Sequence, residues 1–164
     1  MEIRIQLQKL NARLDLRQEI IKVLCYGLSG LPGLQLPHIR ENCTHVFYTF
    51  PIILDPLALC VNREKIVEAL LAEGVKGIEG GYANIHLLPM FQNKIAMGSQ
   101  GFPWSYSESR KSVNYSKGIC PIAENYHDKV FLNLELAELS LDLSEIHMIV
   151  DAFQKIWQQL DLLR

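Results

Sequence analysis

The two side chains with the greatest potential for nucleophilic chemistry are Cys43 and His45. A thiol beside an imidazole can lose its proton and act as a thiolate nucleophile. The run from His45 to Leu54 has the composition of a strand, and residues two apart on a strand share a face. The sequence supplies no third group to orient the imidazole and no oxyanion site, so we interpret both as packing or surface residues. A thiol enzyme that uses Cys43 is the chemical alternative.

Histidine and cysteine are also the usual ligands of zinc, which requires them at characteristic spacings. The four cysteines are scattered and include no C-x-x-C pair, which argues against a zinc ribbon and against a disulfide framework. We therefore predict no metal site, free thiols and a cytoplasmic chain. The candidates considered, of which no two fall at ligand spacing, are His45, His86, His127, His147 and Cys120.

Two further segments could bind a ligand. Gly80-Gly81 lacks the further glycines and the lysine of a phosphate-binding loop, so we predict a turn there. Phe102, Trp104 and Tyr106 alternate, which leaves two interpretations open: a short strand that packs into the core, or a loop whose rings face a ligand. These rings belong to the irregular, aromatic region 80–118, and long irregular loops in compact domains are often functional.

Size and composition define the class of protein that must position these residues. The chain has 164 residues, 49% hydrophobic and 21% charged, so we predict one folded domain over 1–164. A formal net charge of -2 argues against binding to nucleic acid or anionic lipid, which requires clustered Lys and Arg. No apolar run approaches the roughly 18 to 20 residues that cross a bilayer, and the N-terminal pattern is not that of a signal peptide.

A long helix is predicted over residues 1–29. Its apolar residues recur three or four apart, with one interruption at Arg17, so one stripe faces an apolar partner. The helical pattern follows Met1 directly with no N-cap residue, as if the helix had been entered partway. The stripe consists of Ile3, Leu7, Leu10, Leu14, Ile21, Leu24 and Leu28.

Strands and shorter helices follow. Residues 45–54 are β-branched and aromatic and predict a strand, in which Pro51 indicates an edge position or a bulge. A helix with Asn62 as its cap and Gly74 just past its end leads to a short strand at 75–78. Pro121 begins a short helix, and residues 130–134 alternate like a strand.

The final helix begins at Asp142, where Glu145 completes a capping box. This order of elements predicts an α+β fold. We expect a two-layer α/β sandwich, in which a small antiparallel or mixed sheet carries helices on one face and is preceded by the long N-terminal helix. The apolar face of the final helix consists of Ile146, Ile149, Val150, Phe153, Trp157 and Leu160.

Several short motifs occur in a particular order along the chain. They are Leu31-Pro32-Gly33-Leu34, His45-Val46-Phe47-Tyr48, the helix from Asn62 to Gly74, Gly81-Tyr82, His86-Leu87-Leu88-Pro89 and Cys120-Pro121-Ile122-Ala123-Glu124. No single motif is specific, but their order and spacing resemble the C-terminal part of the DegT family of sugar aminotransferases nearly end to end. The opening helix resembles the one that leads from the family's large domain into its small domain.

The resemblance implies the small domain of a type I aminotransferase fold. In that fold a large N-terminal domain holds pyridoxal phosphate through a Schiff-base lysine, and the small domain closes over the substrate. None of the lysines here follows a recognisable cofactor motif, so we assign this chain no catalytic residue and no covalently bound cofactor. The resemblance gives residues 1–29 the role of a linking helix and places region 80–118 on the substrate side.

The family's substrate loop corresponds to the segment from Gly81 to Pro89. In the family this loop approaches the active site near a dimer interface, and its His or Tyr helps to receive the nucleotide-sugar. His86 takes that place, with Tyr82 as its companion and Trp104 close by. Asn84, with Ile85, stands where the family commonly has a proline-leucine pair, and we include it among the substrate-binding candidates.

The resemblance implies a full-length parent that transfers an amino group to a keto-sugar linked to a nucleotide. The chain is then expected to enclose the substrate and to form contacts with a large domain and a homodimer partner, without catalysing the reaction alone. The alternative is a free-standing, non-catalytic α/β module that binds a ligand or a protein through the aromatic loop. An isolated small domain predicts an exposed apolar surface along the Ile3 to Leu28 stripe.

Overall fold

A four-stranded antiparallel sheet with strand order β1-β2-β4-β3 lies at the centre of the fold. The computed structural model describes residues 2–106, 113–136 and 141–164. β4 pairs with β2 on one side and with β3 on the other, so Leu132 lies opposite both Ile52 and Gly80. The predicted α+β class is confirmed, and the sheet is antiparallel. Its strands are β1 (Leu34–Gln35), β2 (Thr49–Leu54), β3 (Ile78–Gly80) and β4 (Phe131–Glu135).

Three long helices contribute to the core on one face of the sheet. Side chains alternate between the two faces of a strand, and Phe50, Ile52, Leu132 and Leu134 are all buried on the same side. Buried residues of α1, α3 and α6 complete this core. The helices are α1 (Glu2–Leu28), α2 (Pro56–Leu59), α3 (Arg63–Ala72), α4 (Pro89–Gln92), α5 (Pro121–Asn125) and α6 (Leu143–Gln158).

The apolar stripe of α1 is buried along only part of its length. Ile21, Leu24 and Leu28 lie in the core, whereas Ile3 is 79% exposed and Leu7 is 62% exposed. Among the described residues, the long helix therefore buries only the C-terminal part of its apolar stripe. Among the helices of the described residues, none combines the length and the apolar character needed to cross a membrane.

Helix α3 ends as the sequence predicts. Gly74 has a φ of 90°, and the amides of Gly74 and Val75 donate to the carbonyls of Leu71 and Leu70, which is the Schellman arrangement. Its start differs, because Asn62 occupies the N-cap position without a side-chain hydrogen bond. The strand predicted at 75–78 is also displaced, since β3 covers Ile78–Gly80.

The predicted capping box of α6 is present. Asp142 Oδ1 accepts from the backbone amide of Glu145 at 2.9 Å, and Glu145 Oε2 accepts from the amide of Asp142 at 2.9 Å. The hydrogen bond from Ser144, together with the one from Glu145, lowers the pKa of Asp142. Near the other end, the Trp157 indole donates to the Pro32 carbonyl at 2.8 Å, while Leu160 lies half-buried in the following 3-10 turn.

Strand β2 is shorter than predicted and occupies a different position in the sheet. It begins at Thr49, so His45 precedes the strand and the proposed shared strand face with Cys43 does not form. Pro51 was expected at an edge or a bulge, yet β2 lies between β1 and β4. The missing amide is tolerated because β1 pairs only with Ile53 and Leu54, which leaves Pro51 with a strand neighbour on one side alone.

Candidate functional site

A nearly buried carboxylate joins the segments around His86. The side chains of His86 and Glu124 are 11% and 8% exposed, and His86 Nε2 lies 2.9 Å from Glu124 Oε1. The backbone amide of Gly118 donates to both carboxylate oxygens at 2.8 and 2.9 Å, and the amide of Cys120 donates to Oε1 at 3.3 Å. Glu124 thus holds the His86 turn and the chain at 118–120 together.

The environment of Glu124 favours its ionised form. Burial acts to raise the pKa of this carboxyl group, but the amides of Gly118 and Cys120 and the side chain of His86 act to lower it. The net result is a pKa below the usual value, because hydrogen bonds to a carboxylate stabilise its charge. Glu124 is therefore an anion and an acceptor at neutral pH.

Glu124 owes its position to α5 and to the π-helical turn that follows. Pro121 occupies the first helical position, where the lack of an amide hydrogen costs little, and the amide of Glu124 donates to the Cys120 carbonyl at 2.9 Å. The turn Tyr126–Val130 then leads directly into β4. The carboxylate is therefore connected to the central strand of the sheet through only a few residues.

A buried arginine holds this turn against α3. Arg63 Nη1 donates to the carbonyls of His127 at 2.5 Å and Phe131 at 3.2 Å, and Nη2 donates to the carbonyl of Asp128 at 3.2 Å. Nη2 also lies 2.7 Å from the carboxylate of Glu64. A buried guanidinium requires such partners, because an unpaired charge in the interior is costly.

The predicted turn at Gly80-Gly81 places Tyr82 beside the same π-helical turn. The amide of Gly81 donates to the Phe131 carbonyl at 2.8 Å, and the amide of Tyr82 donates to His127 Nδ1 at 3.1 Å. The Tyr82 side chain is exposed, and its interaction with Tyr48 raises the pKa of the Tyr48 hydroxyl. Because the Gly81 amide already serves the sheet, it is not available to bind a phosphate.

The aromatic region forms a cluster instead of a strand. Phe91 contacts Trp104 and Tyr115, with ring centroids 5.9 and 5.3 Å apart, and the Trp104 indole donates to the Tyr115 hydroxyl at 3.0 Å. The predicted alternating set is divided, since the exposed rings of Phe102 and Tyr106 contact each other at 6.4 Å. The short-strand interpretation is therefore wrong, and only Trp104 of this set joins the cluster.

A glutamine links the aromatic cluster to the His86 turn. Gln92 Nε2 donates to the carbonyls of His86 and Tyr115, in each case at 2.7 Å. Two residues before His86, Asn84 is 7% exposed, and its Oδ1 has no hydrogen-bond partner among the described residues. A buried acceptor without a donor is uncommon in native proteins, and Arg63 Nε and Asn133 Oδ1 are in the same state among the described residues.

No side-chain hydrogen bond or ring contact joins the four predicted substrate-binding residues to one another in the described part of the chain. Gln92 connects His86 to the cluster that contains Trp104, whereas Tyr82 is held separately by His127. Sequence reasoning did not assign a role to Glu124, although it belongs to the Cys120–Glu124 motif that contributed to the family resemblance. The other unassigned residues of the site are Arg63, Phe91, Gln92, Tyr115 and His127.

The thiol and metal alternatives gain no support from the geometry. His45 Nδ1 accepts a hydrogen bond from the amide of Phe47 at 2.9 Å, and the centroids of the His45 and Phe47 rings are 4.1 Å apart. Cys43 is exposed, and no hydrogen bond connects it with His45 among the described residues. Over the same residues, no group of three His, Cys, Asp or Glu side chains is arranged to hold a metal ion.

Pyridoxal phosphate requires an enclosed lysine for its covalent attachment. Every lysine that the structure describes is exposed to solvent, and Lys117 and Lys155 form ion pairs with Asp128 and Glu73. None of the described lysines is therefore enclosed by this chain itself.

Comparison with known proteins identifies relatives of this chain. The sequence model of the DegT/DnrJ/EryC1/StrS aminotransferase family matches residues 3–114. An uncharacterized protein of Methanocaldococcus jannaschii is 26% identical over 115 residues, which cover 68% of this chain and 30% of the relative.

Two solved structures share the fold. DesV of S. venezuelae, in complex with a ketimine intermediate, superimposes with a TM-score of 0.69 at 20% identity, over 94% of this chain and 34% of DesV. The aminotransferase TlmJ of Streptoalloteichus hindustanus gives a TM-score of 0.67 at 22% identity, over 96% of this chain and 35% of TlmJ. The chain thus spans about a third of the length of each of these proteins.

Replacing Gly81 tests the packing that positions Tyr82. A Cβ atom at Gly81 would lie 2.6 Å from the His127 carbonyl oxygen, whereas a Cβ at Gly98 would meet nothing within 4 Å. Both glycines have positive φ, so alanine costs about 1 to 2 kcal/mol of backbone strain at either position. We expect Gly81→Ala to lower the free energy of unfolding more than Gly98→Ala does and to shift the amide resonance of Tyr82. If urea unfolding showed that the two variants lose the same free energy of unfolding, this packing at Gly81 would be contradicted.

Proposed function

The chain belongs to the DegT/DnrJ/EryC1/StrS aminotransferase family, and we propose that it is the C-terminal small domain of a pyridoxal-phosphate-dependent aminotransferase. Its role in that protein is to enclose the substrate over a cofactor held by a large N-terminal domain. The observation that carries the proposal is the family match combined with the span of the chain, which covers about a third of its solved relatives. Family members depend on pyridoxal phosphate, and the cofactor supplies the electron sink for amino transfer.

The first part of α1 is the proposed contact surface for the large domain. Ile3, Leu7 and Leu10 line a shallow depression of about 440 Å³ with Gln6 and Arg13, and none of the three apolar side chains is buried. Apolar surface of this kind marks a contact site when it is contiguous. We assign it to the large domain because the solved relatives are about three times as long as this chain and because the same stripe continues into the core.

We further propose a keto-sugar linked to a nucleotide as the substrate, received by the His86 region. The exposed Tyr82 ring offers an apolar surface to a sugar or a base, and the partly buried Trp104 ring shapes the neighbouring loop. Asn84 Oδ1 is a buried acceptor that has no donor among the described residues, so a substrate would reach it only if the turn moved. Region 80–118 lies on the substrate side in this proposal, with a homodimer partner close by and the assembled enzyme in the cytoplasm.

Charge substitution on the α1 stripe tests the proposed contact with the large domain. Leu7 and Leu16 are exposed on the same helix, but only Leu7 belongs to the stripe. We expect Leu7→Glu to reduce binding of an apolar dye and self-association by several-fold, without lowering stability by more than about 0.5 kcal/mol, because the site is solvated in this chain. Leu16→Glu is the matched control and should leave dye binding unchanged. Equal effects of the two variants would contradict the assignment.

A ligand titration tests the substrate proposal. With ¹⁵N-labelled protein and UDP-glucose as the probe, we expect resonance shifts at Tyr82, Asn84, His86 and the Trp104 indole. His86→Gln should weaken binding at least about tenfold, which corresponds to 1.4 kcal/mol. His147→Gln, at an exposed position on α6, is the control and should bind as the unmodified protein does. Shifts confined to other surfaces, or equal affinity of both variants, would argue against a substrate role of His86.

A further inference from the structure

The contact between His86 and Glu124 determines which ring nitrogen carries a proton. His86 Nε2 lies 2.9 Å from Glu124 Oε1, and an ionised carboxylate can only accept hydrogen bonds. Nε2 must therefore carry the hydrogen, whether the ring is neutral or protonated. In the neutral ring, Nδ1 is then the nitrogen with the free lone pair.

The second nitrogen of His86 is open to a ligand. Its Nδ1 makes no hydrogen bond to any residue within 2–106, 113–136 and 141–164, and 11% of the His86 side chain is exposed. Nδ1 is thus the ring atom that is left to bond a ligand, although most of the ring is covered. The carbonyl of His86 is engaged by Gln92, so the turn is fixed from the backbone side as well.

The charge of this pair is unsuited to a phosphate group. Glu124 contributes -1, so the pair carries a net charge of -1 with a neutral His86 and 0 with a protonated one. The pKa of Lys117 is raised mainly by Asp128, to which its ammonium group donates a hydrogen bond at 2.9 Å, and also by the charge of Glu124. Its charge is thus already paired with Asp128. The free nitrogen of a neutral His86 ring is an uncharged acceptor, and it matches a neutral donor such as a hydroxyl.

We propose that Glu124 is a positioning residue that fixes the proton of His86 on Nε2 and presents Nδ1 to a hydroxyl group of the sugar. The His86 region then contacts the sugar ring and not the diphosphate of the substrate. The inference rests on the proposed function, because it assumes that His86 contacts the substrate. Glu124 itself does not touch the ligand and acts through the ring that it orients.

The proton on Nε2 can be observed without any ligand. In ¹H–¹⁵N spectra of the imidazole rings at neutral pH, we expect a protected Nε2–H signal for His86, because its hydrogen bond to Glu124 slows exchange with water. Glu124→Gln retains an acceptor oxygen and should retain the signal, whereas Glu124→Leu should lose it. A His86 proton on Nδ1, or an unchanged signal in Glu124→Leu, would overturn the proposal. The backbone spectrum of each variant reports whether it is folded. If Glu124→Leu is unfolded, the test rests on the unmodified protein and Glu124→Gln, both of which should show the Nε2–H signal of His86.

The ligand class is tested by comparing UDP-glucose with UDP. We expect the ¹⁵N resonance of His86 Nδ1 to move with UDP-glucose and to stay in place with UDP, because only the former carries sugar hydroxyl groups. An equal shift with both probes would mean that His86 contacts the diphosphate, which overturns the hydroxyl assignment. If neither probe moves Nδ1 while the Nε2–H signal is protected, the substrate role of His86 fails together with that assignment, and the link between Glu124 and His86 remains.

Discussion

Strand β4 is hydrogen-bonded on both sides, by β2 and by β3, and its apolar face lies in the core. The π-helical turn that enters β4 is consequently fixed at one end, and Arg63 fixes the remainder by donating to the carbonyls of His127, Asp128 and Phe131. Both neighbouring parts of the candidate site depend on this turn. Glu124 precedes it in the chain, and the amide of Tyr82 donates to the His127 ring.

This arrangement explains how an irregular region can hold a defined geometry. Residues 81–106 and 113–120 have little regular structure, so side-chain contacts must replace the hydrogen bonds of helices and strands. Glu124 binds the His86 turn, Gln92 joins that turn to the aromatic cluster, and the Trp104 indole binds Tyr115. Within the described ranges, the first part of α1 makes no contacts of this kind, which agrees with a surface that meets another domain.

Local patterns in the sequence predict the elements well where one physical signal dominates. The capping box at Asp142, the glycine after α3 and the apolar period of α6 are each determined by a few neighbouring residues, and each is confirmed. The Asp55-Pro56 cap of α2 has the same kind of signal and could have been recognised. The start of β2 could not, because the sequence before Thr49 has strand composition but lies outside the sheet register.

The site was harder to predict because its contacts join residues far apart in the sequence. A family resemblance points to Tyr82, Asn84, His86 and Trp104. The hydrogen bonds that hold Tyr82 and His86 in place, from His127, Glu124 and Gln92, span between 6 and 45 residues. The periodicity of apolar residues in the sequence does not indicate pairs of this kind. Glu124 stands in a short motif, yet only the folded chain shows that its carboxylate is nearly buried and directed at His86.

The proposed role as a small domain requires the cofactor lysine to lie outside the residues that the structure describes. The direct measurement is a titration of this chain with pyridoxal phosphate, followed by borohydride reduction and mass spectrometry of the peptides. We predict only weak labelling spread over exposed lysines, because none of the described lysines is enclosed. A single stoichiometric adduct that survives dialysis and maps to one lysine would contradict the account and place a catalytic centre within this chain.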